Sequence, residues 1–177
     1  RLASAARRHA WMELRPLLVE LSAEVGETVD LSVLEGDRAV FVDQVVASNR
    51  LRAVSAVGDS FPLHASANGK AMLASMPGAD RKRVLAGRLE RLTSHTLTTA
   101  AELRRELEQV DTDGVAYDRE EQTEGVCAVG AVIGTVDHDL LAVSIPVPAQ
   151  RFGEREQELH DALLEFVDRV GEWLALR

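Results

Sequence analysis

Six groups of residues in this sequence are of types that could do chemistry. Cys127 is the one cysteine, and a thiol becomes a nucleophile when an imidazole relieves it of its proton. No histidine stands near it in the chain, so Cys127 reads as a small buried side chain on a strand. Ser144 lies within an apolar strand, Leu141 to Ile145, and not on the Gly-x-Ser-x-Gly turn that an esterase nucleophile needs. It reads as a hydrogen-bond partner. Asp118, Glu120, Glu121 and Glu124 put four acids into seven residues, but no histidine lies at ligand spacing beside them, so a charged turn accounts for the cluster without a metal. Asp118 differs from its neighbours, because it closes a strand and a carboxylate there can reach into a cavity to take a ligand hydroxyl. His64 and His95 read as packed or surface residues. The glycines at 125, 130 and 134 do not match a dinucleotide fingerprint, and no cofactor is expected. They suit a bending strand or a close approach.

The sixth group is the start of a helix. If Ser66 caps it, the N–H groups of Ala67, Asn68 and Gly69 have no acceptors within the helix and lie at the positive end of its dipole. Such an end draws a carboxylate or phosphate, and small residues let the anion reach the backbone. A helix start simply packed on a sheet accounts for the same residues.

The elements that must position these groups follow from the periodicity. Apolar residues at Leu2, Ala6, Ala10, Leu14, Leu17, Leu21 and Val25 step by three or four, which predicts an amphipathic helix ending at Gly26 and kinked or restarted at Pro16. It opens in mid-pattern without a cap, so a longer protein with a preceding segment is expected. From Thr28 the period becomes two, through Val29, Leu31 and Val33, and residues 38–46 repeat it after the Glu35-Gly36-Asp37 turn, which predicts a hairpin. Leu51 to Val57 reads as a third strand and Gly58 to Phe61 as a turn. Helical spacing resumes at Ala67 and ends near Pro77; Asp80 to Leu89 reads as a short helix. Thr99 and Glu102 form a capping-box pair ahead of Leu103, Leu107 and Val110. Residues 115–118, 126–135 and 140–147 are strand candidates, the last two joined through Asp137-His138-Asp139. Leu159, Leu163, Phe166, Val170 and Trp173 place a long helix at the carboxyl end. The expected fold is α+β, a GAF/PAS-like antiparallel sheet of about six strands with helices packed against it, preceded by a linker helix.

Composition narrows the function. A chain of 177 residues with 46% apolar content can bury one sizeable core. Its net charge of −9 argues against nucleic-acid binding by the whole surface, although Arg1, Arg7, Arg8 and Arg15, opposed only by Glu13, make the first helix basic. A solvated helix face explains that cluster as well. A single cysteine leaves no internal disulfide and suits a reducing cytoplasm. No apolar run approaches the ~20 residues of a membrane helix, and no signal-peptide pattern is present.

Taken in order, Gly26-Glu27-Thr28-Val29, Pro62-Leu63-His64-Ala65-Ser66-Ala67-Asn68-Gly69-Lys70-Ala71, Leu92-Thr93 with Thr96-Leu97-Thr98, residues 114–121 and Gly125-Val126-Cys127 resemble the effector-binding domain of the IclR family of bacterial transcriptional regulators. The resemblance spans nearly the whole chain. It implies a GAF-like sensor (residues 26–177) joined by a linker helix (residues 1–25) to a winged helix-turn-helix that would be the only DNA-binding part. It implies homodimers or homotetramers and a small-molecule effector, often an organic acid. It also implies that Ser66, Ala67, Asn68, Gly69, Asp118, Cys127, Ala128 and Ser144 face the effector, with no metal, no membrane and no enzymatic turnover.

Three departures bear on the pocket. Asn68 stands where relatives often have a small residue. Cys127 directly follows the Gly125-Val126 pair where an arginine often intervenes, which leaves the strand's register open by one residue. Ser144-Ile145-Pro146-Val147-Pro148 lacks a hydroxyl and a backbone donor found in the usual Ser-x-Ser-Gly-Pro. These changes point to an effector less polar than small keto acids. Two other readings remain open: a small enzyme on a GAF-like scaffold using Cys127 or Ser144, and an oligomerisation module with a vestigial pocket.

Overall fold

The computed structural model describes residues 11–53 and 55–176. The first three apolar positions of the expected linker helix, together with Arg1, Arg7 and Arg8, lie outside them. Helix α1 (Arg15–Val25) carries Pro16 in its first turn, where a missing N–H costs nothing, and a turn at residues 13–14 precedes it, so the helix restarts at the proline. Gly26, at φ 69°, ends it and donates to Ser22 O at 2.9 Å. Leu14, Leu18, Leu21 and Val25 are its buried stripe.

The sheet is built from β1 (Val29–Glu35), β2 (Arg38–Val45), β3 (Ser60–Pro62), β4 (Ala116–Arg119), β5 (Val126–Val136) and β6 (Asp139–Pro148). They lie in the order β3-β2-β1-β6-β5-β4, with each neighbouring pair antiparallel. The third strand is not where alternation put it. Residues 51–53 and 55–57 form no strand, and Ser60 and Phe61 of the expected turn, with Pro62 after them, pair with Val40, Ala39 and Arg38 instead. Ser55 is drawn away to Asp30 and Arg38 grips Ser60 through both its side chain and its carbonyl, so tertiary contacts outweigh the local pattern.

Helices cover both faces. α1 and α5 (Ala149–Ala175) pack on one, where Leu31, Val129, Val143, Ile145, Leu163 and Phe166 are buried together. On the other face a single 3₁₀ turn (Leu63–Ala65) leads into α2 (Ala67–Ser75), followed by α3 (Gly78–Ala86) and α4 (Ala100–Asp113), and Leu63, Met72, Leu73, Leu103 and Leu107 form a second cluster. The expected capping box at Thr99 and Glu102 is present in both directions. One side of the sheet is thus sealed by long helices, while the other, covered by the short α2, leaves room at its edge.

Candidate functional site

Strand alternation decides which side chains meet. Asp30 on β1 lies opposite Ser144 on β6, and Ser144 opposite Gly130 on β5; one step along, Pro146, Ala128 and Asp118 form the next row. Residues two apart on one strand share a face. Asp30, Ser144, Pro146, Ala128 and Asp118 therefore line the same side, beneath the start of α2. They bound a cavity of about 290 Å³, closed above by Ser66, Ala67 and Asn68, at one end by Phe41, Phe61, Ala53, Ser55, Ala56 and Asp59, and at the other by Gln122, Thr123 and Val126.

Six of the eight residues singled out in the sequence, Ser66, Ala67, Asn68, Asp118, Ala128 and Ser144, meet in this lining; Gly69 and Cys127 do not. Cys127 opposes Val147 and Arg119 and is buried with the core beneath α1 and α5, one residue out of phase with the cavity face. Burial, reinforced by the negative charges of Asp118 and Glu120, lifts its thiol to about 11. It does not line the cavity, and a thiol raised by burial favours its protonated form at neutral pH, which argues against the thiol-enzyme reading. Gly69 serves packing: a Cβ there would lie 2.5 Å from Leu63 O and 2.7 Å from Leu63 Cα. Gly130 has the same role across the sheet, since its Cβ would stand 2.7 Å from Ala67 C and 2.8 Å from Asn68 N. The helix start can lie directly on β5 only because that strand has no side chain there.

The helix start itself is set by Ser66, whose extended backbone turns the chain and whose Oγ accepts from Gly69 N at 3.0 Å. Lys70 N donates to Ser66 O. The N–H groups of Ala67 and Asn68, first and second in the helix, have no acceptor within it. Asn68 is not a free polar group in the cavity: its amide donates to Ser32 Oγ on β1.

Asp118 is 4% exposed. One carboxyl oxygen accepts from Glu121 N at 2.7 Å and Gln122 N at 3.4 Å, and the other has no protein partner among the described residues. Burial, with the nearby Glu121 charge adding to it, raises Asp118 to about 7. Ser144 Oγ likewise has no hydrogen-bond partner among the described residues, and no base is placed to activate it. The acidic turn behind Asp118 is structural. Glu121 takes two bonds from Lys70 Nζ, at 2.8 and 2.9 Å, and Lys70, fully buried, also reaches Glu106 at 3.1 Å. Thr93 and Thr96 donate to the carbonyls of Glu120 and Glu121, each at 2.6 Å, which ties residues 93–96 to the turn that holds Asp118. Among the described residues no group of histidine, cysteine and acids could hold a metal ion.

Reasoning from sequence missed Asp30. It is 1% exposed, accepts from Gln44 Nε2 at 2.7 Å and Ser55 Oγ at 2.9 Å, and burial raises it to about 6 against those two bonds. A polar residue at a buried phase of an alternating strand, Val29-Asp30-Leu31, was the signal available.

Fold and cavity together define an α+β domain with a ligand-sized cavity under a helix start. The model described as "Bacterial transcriptional regulator IclR C-terminal" matches residues 3–172, and the chain belongs to that family as an effector-binding domain. It is 58% identical over 173 residues to the HTH-type transcriptional regulator Rv1719 of Mycobacterium tuberculosis, covering 98% of this chain and 67% of that protein. With the regulator BhcR of Paracoccus denitrificans it shares 38% identity over 154 residues, covering 85% of this chain and 55% of the relative. The crystal structure of Thermotoga maritima IclR superposes with a TM-score of 0.83 at 32% identity, over 91% of this chain and 66% of that one. This chain thus spans between about half and two thirds of the relatives it matches. Relatives and structural neighbours named as regulators bear out the family, the α+β architecture and the expectation of a regulator rather than an enzyme.

Proposed function

We propose that this domain binds a small organic acid without transforming it, and that its occupancy governs DNA binding by a winged helix-turn-helix attached ahead of residue 1. The observation that carries the reading is one opening bounded by three unfilled groups: the first N–H groups of α2, the free oxygen of Asp118 and the free hydroxyl of Ser144. The ligand's carboxylate would accept from Ala67 and Asn68 N–H, where the helix dipole favours negative charge. Ser144 would donate to it or to a neighbouring carbonyl. Asp118, held near neutrality by burial, would donate as the acid or accept a ligand hydroxyl as the carboxylate. Phe41, Phe61, Val126 and Pro146 offer apolar walls to the remainder of the molecule.

In this reading residues 1–25 are the linker helix and residues 26–177 the sensor. The full protein acts in the cytoplasm as a homodimer or homotetramer, and the helix ending at Gly26 carries the preference of the sensor to the DNA-binding heads. Coupling of this kind is worth ~1–3 kcal/mol, a 5- to 150-fold change in operator affinity. The test is thermal melting of the domain against a panel of aliphatic and aromatic acids. A true effector at ~100 times its dissociation constant adds ~2.7 kcal/mol of stability. A melting temperature that no member of the panel moves would favour an oligomerisation module with a vestigial pocket.

A further inference from the structure

Two buried carboxylates outside the cavity are held by cations. Glu27, fully buried, is held by Arg151 at 2.9 Å and Arg155 at 2.8 Å, and Glu121 by Lys70. A buried ionised carboxylate without such a partner carries a large desolvation cost. Asp30 has no cation: among the described residues its only partners are the neutral Gln44 and Ser55, one on each oxygen. A carboxylate accepts about four hydrogen bonds, so each oxygen retains room for a donor. The cavity supplies none that is charged. Among the described residues its lining contains Asp30, Asp59 and Asp118 and no lysine, arginine or histidine.

We infer that the counter-ion of Asp30 is the ligand itself: this end of the cavity receives a protonated amine, with Phe41 and Phe61 beside it and Asp59 at its margin. The inference rests on reading the cavity as a ligand site, and it deepens that reading by making the preferred acid an amino-bearing one. Such a ligand places its carboxylate at the positive helix start and its ammonium at Asp30, so each charge meets its opposite. Phe41 and Phe61 stand edge to face at 5.5 Å between centroids and present ring surface to the cation's carbon chain. A plain acid of the same length leaves Asp30 uncompensated. A hydroxyl satisfies one acceptor but brings no charge.

The experiment is calorimetric titration of this chain with three matched series of straight-chain acids of increasing length, one unsubstituted, one with a terminal hydroxyl and one with a terminal amine, and with simple alkylamines lacking the acid. At the best-fitting length the amino acid should bind at least about tenfold tighter than its unsubstituted partner, since a charge-assisted bond contributes that much. Asp30→Asn, which keeps the size and one acceptor, should erase the difference. Equal or tighter binding of the unsubstituted or hydroxylated acid at every length overturns the inference and leaves the organic-acid reading standing. An amine preference that survives in Asp30→Asn also overturns it. Binding of alkylamines with no acid bound would overturn the organic-acid reading and support this one, while silence across all series overturns both. The comparison of ligands on the unaltered chain holds even where the variant fails to fold.

Discussion

Replacing Asp118 with asparagine should stabilise the domain and alter its ligand response, and the first effect should depend on pH in a defined way. Burial raises the Asp118 carboxyl from 3.8 to about 7. Between those values the folded chain holds a proton that the unfolded chain has released, so stability falls as pH rises through this window and the loss is complete above about 7. At ~1.4 kcal/mol for each pH unit, the ceiling is about 4 kcal/mol. The oxygen facing the cavity is open to water there, which lowers the realised effect to about 1–3 kcal/mol. Asparagine has the same shape, and its side-chain oxygen can still accept from Glu121 N, the 2.7 Å bond that Asp118 makes, but it has no charge to bury. Urea unfolding of both chains followed by circular dichroism, at pH 4.5, 6, 7 and 8.5, reads the difference directly. Near pH 4.5 the two should be within a few tenths of a kcal/mol; at pH 8.5 the asparagine variant should be ahead, by ~1 M in midpoint for an m-value of ~2 kcal/mol/M. Acids not coupled to Asp118 cancel in the comparison; Glu121, whose charge helps to raise Asp118, is relieved of repulsion in the variant and adds to the gap at high pH. A gap that does not change with pH, or a variant less stable at pH 8.5, would refute the claim that this carboxyl is kept at a cost to the fold.

Three other substitutions probe the surroundings. Ser144→Ala should leave the unfolding free energy within about 0.5 kcal/mol of the parent, because its hydroxyl bonds no protein group among the described residues, and should weaken effector binding several-fold by calorimetry; unchanged affinity removes its assigned role. Gly130→Ala drives a methyl to 2.7 Å from the backbone of Ala67, which should cost about 1–3 kcal/mol and displace the helix start; chemical denaturation with ligand titration checks both. Lys70→Met leaves the buried Glu121 carboxylate without its cation and should lower stability by about 3–5 kcal/mol at pH 7. Because burial already raises the proton affinity of Glu121, the loss should shrink on acidification, which melts at pH 5 and 7 would show.

Much of the architecture can be read from the chain because local chemistry and tertiary packing agree there. The Gly26 stop, the Glu35-Gly36-Asp37 hairpin and the Thr99 capping box each carry their own turn or cap residues, and the long carboxyl-terminal helix carries a helical apolar stripe. The segment before Phe61 misled because its side chains answer to distant partners, Asp30 and Arg38, and not to their own alternation. In the cavity, Ser66, Ala67 and Asn68 were legible as a capped helix start and Asp118 as a strand-end acid. Cys127 failed by a single residue, since period two sends it to the opposite face. Asp30 went unnoticed because its role depends on β1 lying beside β6, a pairing between residues more than a hundred positions apart. Gly130 illustrates the same limit: its need for a bare backbone comes from Ala67 and Asn68 on a helix that reaches it through the fold.

The central claim is that an acid binds at the first turn of α2, and amide chemical shifts of the isotopically labelled domain test it most directly. Titration with the acid that raises the melting temperature most should move the Ala67 and Asn68 amide resonances furthest, with Gly130 and Ser144 following, while the acid is recovered unchanged. Shifts centred elsewhere, with Ala67 and Asn68 unmoved at saturation, would contradict the account.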